Sequence, residues 1–156
     1  MSINILGFML LCAVMLPNIA FLIWKPVDQK PVKSSIWDIL EHIGRIASMI
    51  FLCFDLGKPY LSTEFASKGL FIAWVISTSL ITGLYIGIWM RYFLCGRTVE
   101  LCYKSFFIPM PLVILPVLDF LITGILGANL ALIISSILLG IGHIMVSLST
   151  KKQLSI

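Results

Sequence analysis

The chain has 156 residues, 60% of them hydrophobic and 12% charged, with a formal net charge of +4. A soluble domain carries about 45–50% apolar and about 25% charged residues, so this composition excludes an ordinary soluble protein. The 11 Lys and Arg are dispersed and form no basic stripe, which argues against nucleic acid as a partner and leaves the positive charge to set membrane topology.

Apolar blocks about twenty residues long match the length a helix needs to cross a bilayer. They predict an all-α, polytopic membrane protein, a single domain over residues 1–156 with five spans at 3–24, 36–57, 69–93, 106–126 and 129–149. The first block has no basic residue before it and no small-x-small site after it, so it is expected to be a retained helix and not a signal peptide. Within it, Pro17 removes a backbone donor and frees the carbonyl of Ala13, which predicts a kink beside Asn18.

The second block is the most informative, because Asp38, Glu41, His42, Arg45 and Asp55 sit in a segment that must cross the bilayer. The first four fall on one helical face, within a sector of about 100°. Ser35 and Asp38 have the spacing of a capping box, and Glu41 and Arg45 that of an intrahelical ion pair. Such a pair either lets the helix face its neighbours without an unpaired charge or marks a substrate, ion or proton site.

The third block carries Tyr85 and a Ser79, Gly83, Gly87 repeat at four-residue spacing, which, like Ser136 and Gly140 in the fifth, reads as close helix packing within the bundle or between protomers. Cys12 and Cys53 lie inside spans as small apolar residues, while Cys95 and Cys102 share a loop with only a weak metal spacing. The fourth block holds Pro109, Pro111 and Pro116 ahead of Asp119, so a broken or bent helix is expected, with Ser77, Thr78 or Ser79 at a depth to meet the carboxyl. Gly127-Ala128-Asn129 makes a tight hairpin into the fifth block, where Gly140 and Gly142 allow close backbone approach beside His143.

An outside N-terminus puts eight loop and tail Lys or Arg inside against two outside, so the positive-inside rule selects N-out, C-in. Trp24, Trp37, Trp89, Tyr92 and Tyr103 then fall near the inner interface. At about 1.5 Å per residue from the inner ends, Glu41 lies about 8 Å deep, Asn18 and His143 about 9 Å and Tyr85 about 12 Å. Four helices thus offer polar groups at one level, while Asp119 lies beyond the midplane as a secondary polar site.

Pro17-Asn18, the EHIGR run at 41–45, Trp89 to Phe93, and the pattern from Ile108 to Ile144 ending in GIGHI at 140–144 resemble a family of short, uncharacterised polytopic membrane proteins of low-GC Gram-positive bacteria. Asp119 stands where that pattern more often has a small hydroxyl residue. The resemblance implies a bacterial plasma membrane and supplies no catalytic residue.

No H-E-x-x-H, G-x-S-x-G, Walker A, G-x-G-x-x-G or C-x-x-C sequence occurs, so neither a cofactor nor a metal is expected. The leading expectation is binding or transport of a small molecule, proton or lipid through a cytoplasm-facing polar cavity formed by Asn18, Glu41, His42, Arg45, Tyr85 and His143. Five short helices enclose little space, so transport would call for a homo-oligomer or a partner membrane subunit. The alternatives are an accessory, immunity or interaction protein, and an intramembrane enzyme using His143 and Glu41 as acid and base.

Overall fold

The structure, a computed structural model, describes residues 2–26, 35–104 and 109–154. In chain order it contains β1 (Ser2–Ile3), α1 (Ile5–Ile23), α2 (Ile36–Cys53), β2 (Phe54–Asp55), α3 (Lys68–Leu94), α4 (Val99–Tyr103), α5 (Pro111–Leu126) and α6 (Leu130–Leu154). Among these, α1, α3 and α6 are long and apolar enough to cross a membrane. The apolar α5 is shorter at 16 residues, and the 18-residue α2 carries Asp38, Glu41 and Arg45. Large apolar side chains such as Leu16, Ile46, Leu80 and Ile134 point outward. That is the reverse of a water-facing surface and suits lipid.

Local chemistry sets the helix ends. Asn4 Oδ1 accepts from Gly7 N at 3.1 Å, capping α1, and the Asn4 N–H donates to Cys53 O at 2.8 Å. The predicted capping box forms at α2, where Asp38 accepts from the Ser35 N–H and Ser35 Oγ caps the first turn. Asn129 Oδ1 accepts from Leu132 N at 3.0 Å to start α6, which continues past residue 149 through Lys151 and Lys152.

Two boundaries differ from the sequence expectation. The second helix stops at Cys53 instead of reaching residue 57, because Phe54 turns extended and pairs antiparallel with Ile3. Asp55 is therefore outside the helix, where its Oδ1 accepts from Thr63 N at 3.3 Å. The helix expected from residue 106 begins at Pro111, since a proline fits the first turn, where no backbone donor is needed, and Met110 before it is left-handed at φ 46°. Residues 105–108 lie outside the described segments. The prolines do not break the helices that contain them: α1 runs through Pro17 and α5 through Pro116. The short α4 was not anticipated.

Helix packing forms a ring in which α2 meets α6, α6 meets α5, α5 meets α3, and α1 closes the circle between α3 and α2. The α2–α6 seam is the most extensive, and α1 is attached most lightly. At the seam a Cβ on Gly44 would collide with the backbone of Leu138 and Leu139, and one on Gly142 with the backbone of Glu41. Buried Ser48, Ser135 and Ser136 occupy the same two helices. Small residues thus let the two backbones approach where lipid supplies no hydrophobic drive for association.

Two packing expectations take a more specific form. Gly83 and Gly87 meet nothing within 4 Å of an added Cβ, so their stripe on α3 is not used inside the bundle. Trp89 and Tyr92, expected near the interface, are buried in an aromatic cluster with Phe21 and Phe93, and the Tyr92 hydroxyl donates to Trp24 O at 3.2 Å. The Gly127–Asn129 hairpin forms as expected, with Gly127 N to Thr123 O at 2.9 Å and Asn129 N to Gly124 O at 2.8 Å.

Gly142→Ala is expected to lower the melting temperature in detergent, because overpacking costs about 1–3 kcal/mol when neighbours cannot move. Gly87→Ala, whose new methyl group meets open space, should leave it unchanged or slightly raised. Equal melting temperatures for Gly142→Ala and the native chain would contradict the close α2–α6 approach.

Candidate functional site

The ring encloses a cavity of about 470 Å³, open to one side and lined from α1, α2, α3, α5 and α6, with Cys102 and Tyr103 of α4 at its edge. Its walls are mostly apolar, with Val14, Phe21, Met49, Leu112, Phe120 and Leu139 among the lining side chains. Between them lies a polar belt contributed by Asn18, Arg45, Tyr85 and His143.

Two connected pairs build the belt. Asn18 Nδ2 donates to Val14 O at 2.7 Å and to the Tyr85 hydroxyl at 2.8 Å, tying α1 to α3. On the opposite wall Glu41 forms an ion pair with Arg45, one turn along α2. The His143 Nδ1 from α6 comes within 3.0 Å of Glu41 Oε1, at ion-pair distance but without hydrogen-bond alignment. The Gly142–Glu41 backbone contact places this ring, because the residue that follows the glycine is delivered to the carboxylate.

Glu41 stands behind the belt and does not line the cavity; its side chain is 7% exposed, against 40% for Arg45 and 27% for His143. One carboxylate thus orients two basic side chains that do reach the cavity.

Five of the six residues proposed from sequence for the main site therefore converge. His42 does not: it is exposed, and its Nδ1 lies 2.6 Å from Asp38 O on its own helix. The 100° sector that grouped it with Glu41 was too wide, because the α2–α6 seam buries only the strip holding Glu41, Gly44 and Ser48.

Asp119 is completely buried on α5 and forms a separate centre. The Thr82 hydroxyl donates to its Oδ2 at 2.8 Å, while Oδ1 has no hydrogen-bond partner. The partner is thus Thr82 and not Ser77, Thr78 or Ser79; the Thr78 hydroxyl bonds instead to Trp74 O at 2.7 Å on its own helix. Thr123 links the same region, donating to Asp119 O at 2.7 Å and accepting from Trp74 Nε1 at 2.9 Å.

Sequence reasoning missed Trp89 and Ser147 in the cavity wall. Ser147 lies one turn beyond His143 on α6, a spacing that carried the signal. Trp89 gave none, since interfacial and cavity-lining tryptophans look alike in a sequence. Among the described residues no three His, Cys, Asp or Glu side chains converge to hold a metal ion. A smaller pocket of about 220 Å³ lies at the hairpin end, between Lys58, Tyr60, Glu64 and Ala128. No protein-family model, curated protein or solved structure matches the chain.

The geometry makes Glu41 and Arg45 interdependent. Arg45→Leu leaves a buried carboxylate with only His143 beside it and is expected to destabilise by on the order of 3 kcal/mol, whereas Glu41→Leu/Arg45→Leu should be close to neutral. Thermal unfolding in detergent reads both, and a double variant less stable than the single one would show that the pair is not coupled.

Proposed function

We propose that this chain is a five-span protein of a bacterial plasma membrane, N-terminus outside and C-terminus inside, that binds a small amphipathic molecule in the cavity at the centre of its helix ring. The observation that carries this reading is the polar belt of Asn18, Arg45, Tyr85 and His143 within otherwise apolar walls. Binding pockets have that composition, with apolar area for affinity and a few fixed polar groups for orientation. A bundle held together by polar staples alone would have closed over them. At about 470 Å³ the cavity lies in the lower part of the range of about 300–1,000 Å³ typical of small-molecule sites, so it suits one apolar chain better than a two-chain lipid.

In the N-out, C-in arrangement, the Arg45 and His143 level belongs to the cytoplasmic half of the bilayer, and the bilayer itself is the source from which such a molecule enters. Five short helices enclose little space, so transport in this reading rests on a homo-oligomer or a partner subunit. A second reading, an accessory or interaction subunit, is favoured by one observation: the exposed Ser79, Gly83 and Gly87 face of α3, where an added Cβ on either glycine meets nothing among the described residues.

The protein in nanodiscs is expected to bind a fluorescent single-chain amphiphile saturably, and Val113→Phe, which fills the cavity, should weaken that binding at least tenfold without loss of folding. Binding that is non-saturable or unchanged in Val113→Phe would remove the cavity from consideration and favour the interaction reading. Orientation is tested separately: Cys95 and Cys102 should resist a membrane-impermeant thiol reagent in intact cells, while Ala128→Cys reacts. Labelling of the 95–102 loop from outside would reverse the topology.

A further inference from the structure

The belt has more hydrogen-bond donors than acceptors, and that imbalance specifies its occupant. The Val14 carbonyl, 2.7 Å from Asn18 Nδ2, identifies which end of the amide carries nitrogen, because an oxygen there would oppose another oxygen. With one amide hydrogen on Val14 and the other on Tyr85, the Tyr85 hydroxyl is an acceptor toward Asn18. Its own proton then has no acceptor among the described residues.

Beside it, the buried indole Nε1 of Trp89 directs its N–H toward the Tyr85 oxygen, which therefore faces two donors, Asn18 and Trp89. An indole N–H can only donate, so it cannot take the tyrosine proton. Arg45 adds a guanidinium with five N–H donors, of which one nitrogen is engaged by Glu41. Against these donors stand Asn18 Oδ1 and Glu41, and Glu41 already faces Arg45 and His143.

A buried O–H left unmade is costly, so a site that keeps one is completed by a group that accepts. A neutral hydroxyl would bring a donor of its own, and an ammonium brings only donors. A carboxylate accepts at up to four lone-pair positions and carries the charge that Arg45 attracts. Resting on the cavity reading above, we infer that the occupant is an anionic single-chain amphiphile, in its simplest form a long-chain carboxylate. Its head accepts from Tyr85 and Arg45, and its chain lies along the apolar wall. Glu41 is a positioning residue here: it holds Arg45 and His143 in place from behind the wall.

The test compares three probes of equal chain length, hexadecanoate, hexadecanol and hexadecylamine, as competitors of the fluorescent amphiphile. The full chain is held in nanodiscs of zwitterionic lipid, so that surface charge does not bias partition. Hexadecanoate is expected to compete at least about tenfold better than hexadecanol, and hexadecylamine worst. Tyr85→Phe removes the hydroxyl donor while keeping the ring, and it should shrink the carboxylate-over-alcohol preference about five- to tenfold. Glu41→Gln/Arg45→Gln, which removes the cation without stranding a carboxylate, should abolish the preference.

If no probe competes and the fluorescent amphiphile itself does not bind saturably, the cavity reading fails and this inference with it. If hexadecanol or hexadecylamine matches hexadecanoate, the cavity reading stands and the anionic head is overturned. If acetate competes at the same concentration as hexadecanoate, the site takes a free anion and the single-chain part is overturned.

Discussion

The close crossing of α2 and α6 is the contact on which the remaining geometry depends. Gly44 lies against the backbone of Leu138 and Leu139, and Gly142 against that of Glu41, so neither helix can withdraw without losing both contacts. In a bilayer, association comes from van der Waals packing and polar contacts, because lipid tails are as apolar as any leucine. Here both kinds are adjacent in the chain. Gly142 brings the backbones together, and the next residue, His143, reaches the Glu41 carboxylate at 3.0 Å. The small residues hold the helices at the separation that lets the ionisable side chains find one another.

The ring follows from that seam in one direction and stays loose in the other. From α6 the packing runs through α5 to α3, tied by the Asp119–Thr82 and Trp74–Thr123 contacts between α3 and α5. At the hairpin end, Asn129 donates to Phe51 O at 3.0 Å and to Thr63 Oγ1 at 3.2 Å, and Glu64 N donates to Gly127 O at 2.8 Å. Those bonds join α2, the 58–67 segment and the hairpin. By contrast α1 is held by its cap contact to Cys53, by Asn18 on Tyr85 and by the aromatic cluster around Phe21. The cavity lies between this lightly attached helix and the well-packed remainder, which makes α1 the wall able to move most cheaply when the cavity is filled.

Asp119 shows the other way a membrane bundle treats a carboxyl. Among the described residues no basic side chain is hydrogen-bonded to or ion-paired with it; one hydroxyl serves Oδ2, and the surrounding threonines bond mainly to backbone carbonyls. Glu41 and Asp119 thus separate two roles within one small bundle. The first positions cations at a cavity, and the second joins two helices in its interior.

The sequence by itself determined the all-α, strongly apolar character of a membrane protein and the tight hairpin, because these depend on composition, apolar length and local turn chemistry. It also determined the Glu41–Arg45 pair and the Ser35–Asp38 cap, whose partners lie within one helical turn and need no tertiary contact. Shared depth grouped Asn18, Tyr85, Glu41 and His143 before any fold was known, since rise per residue is fixed. A helical sector cannot say how narrow a strip the neighbouring helix covers, so the sector that held His42 with Glu41 includes a residue that the site does not. Only the tertiary structure decided that α2 faces α6, that Thr82 serves Asp119 and that Trp89 lines a cavity. Those facts follow from helix rotation and neighbour order, which are set by where small residues permit backbones to meet across long stretches of chain.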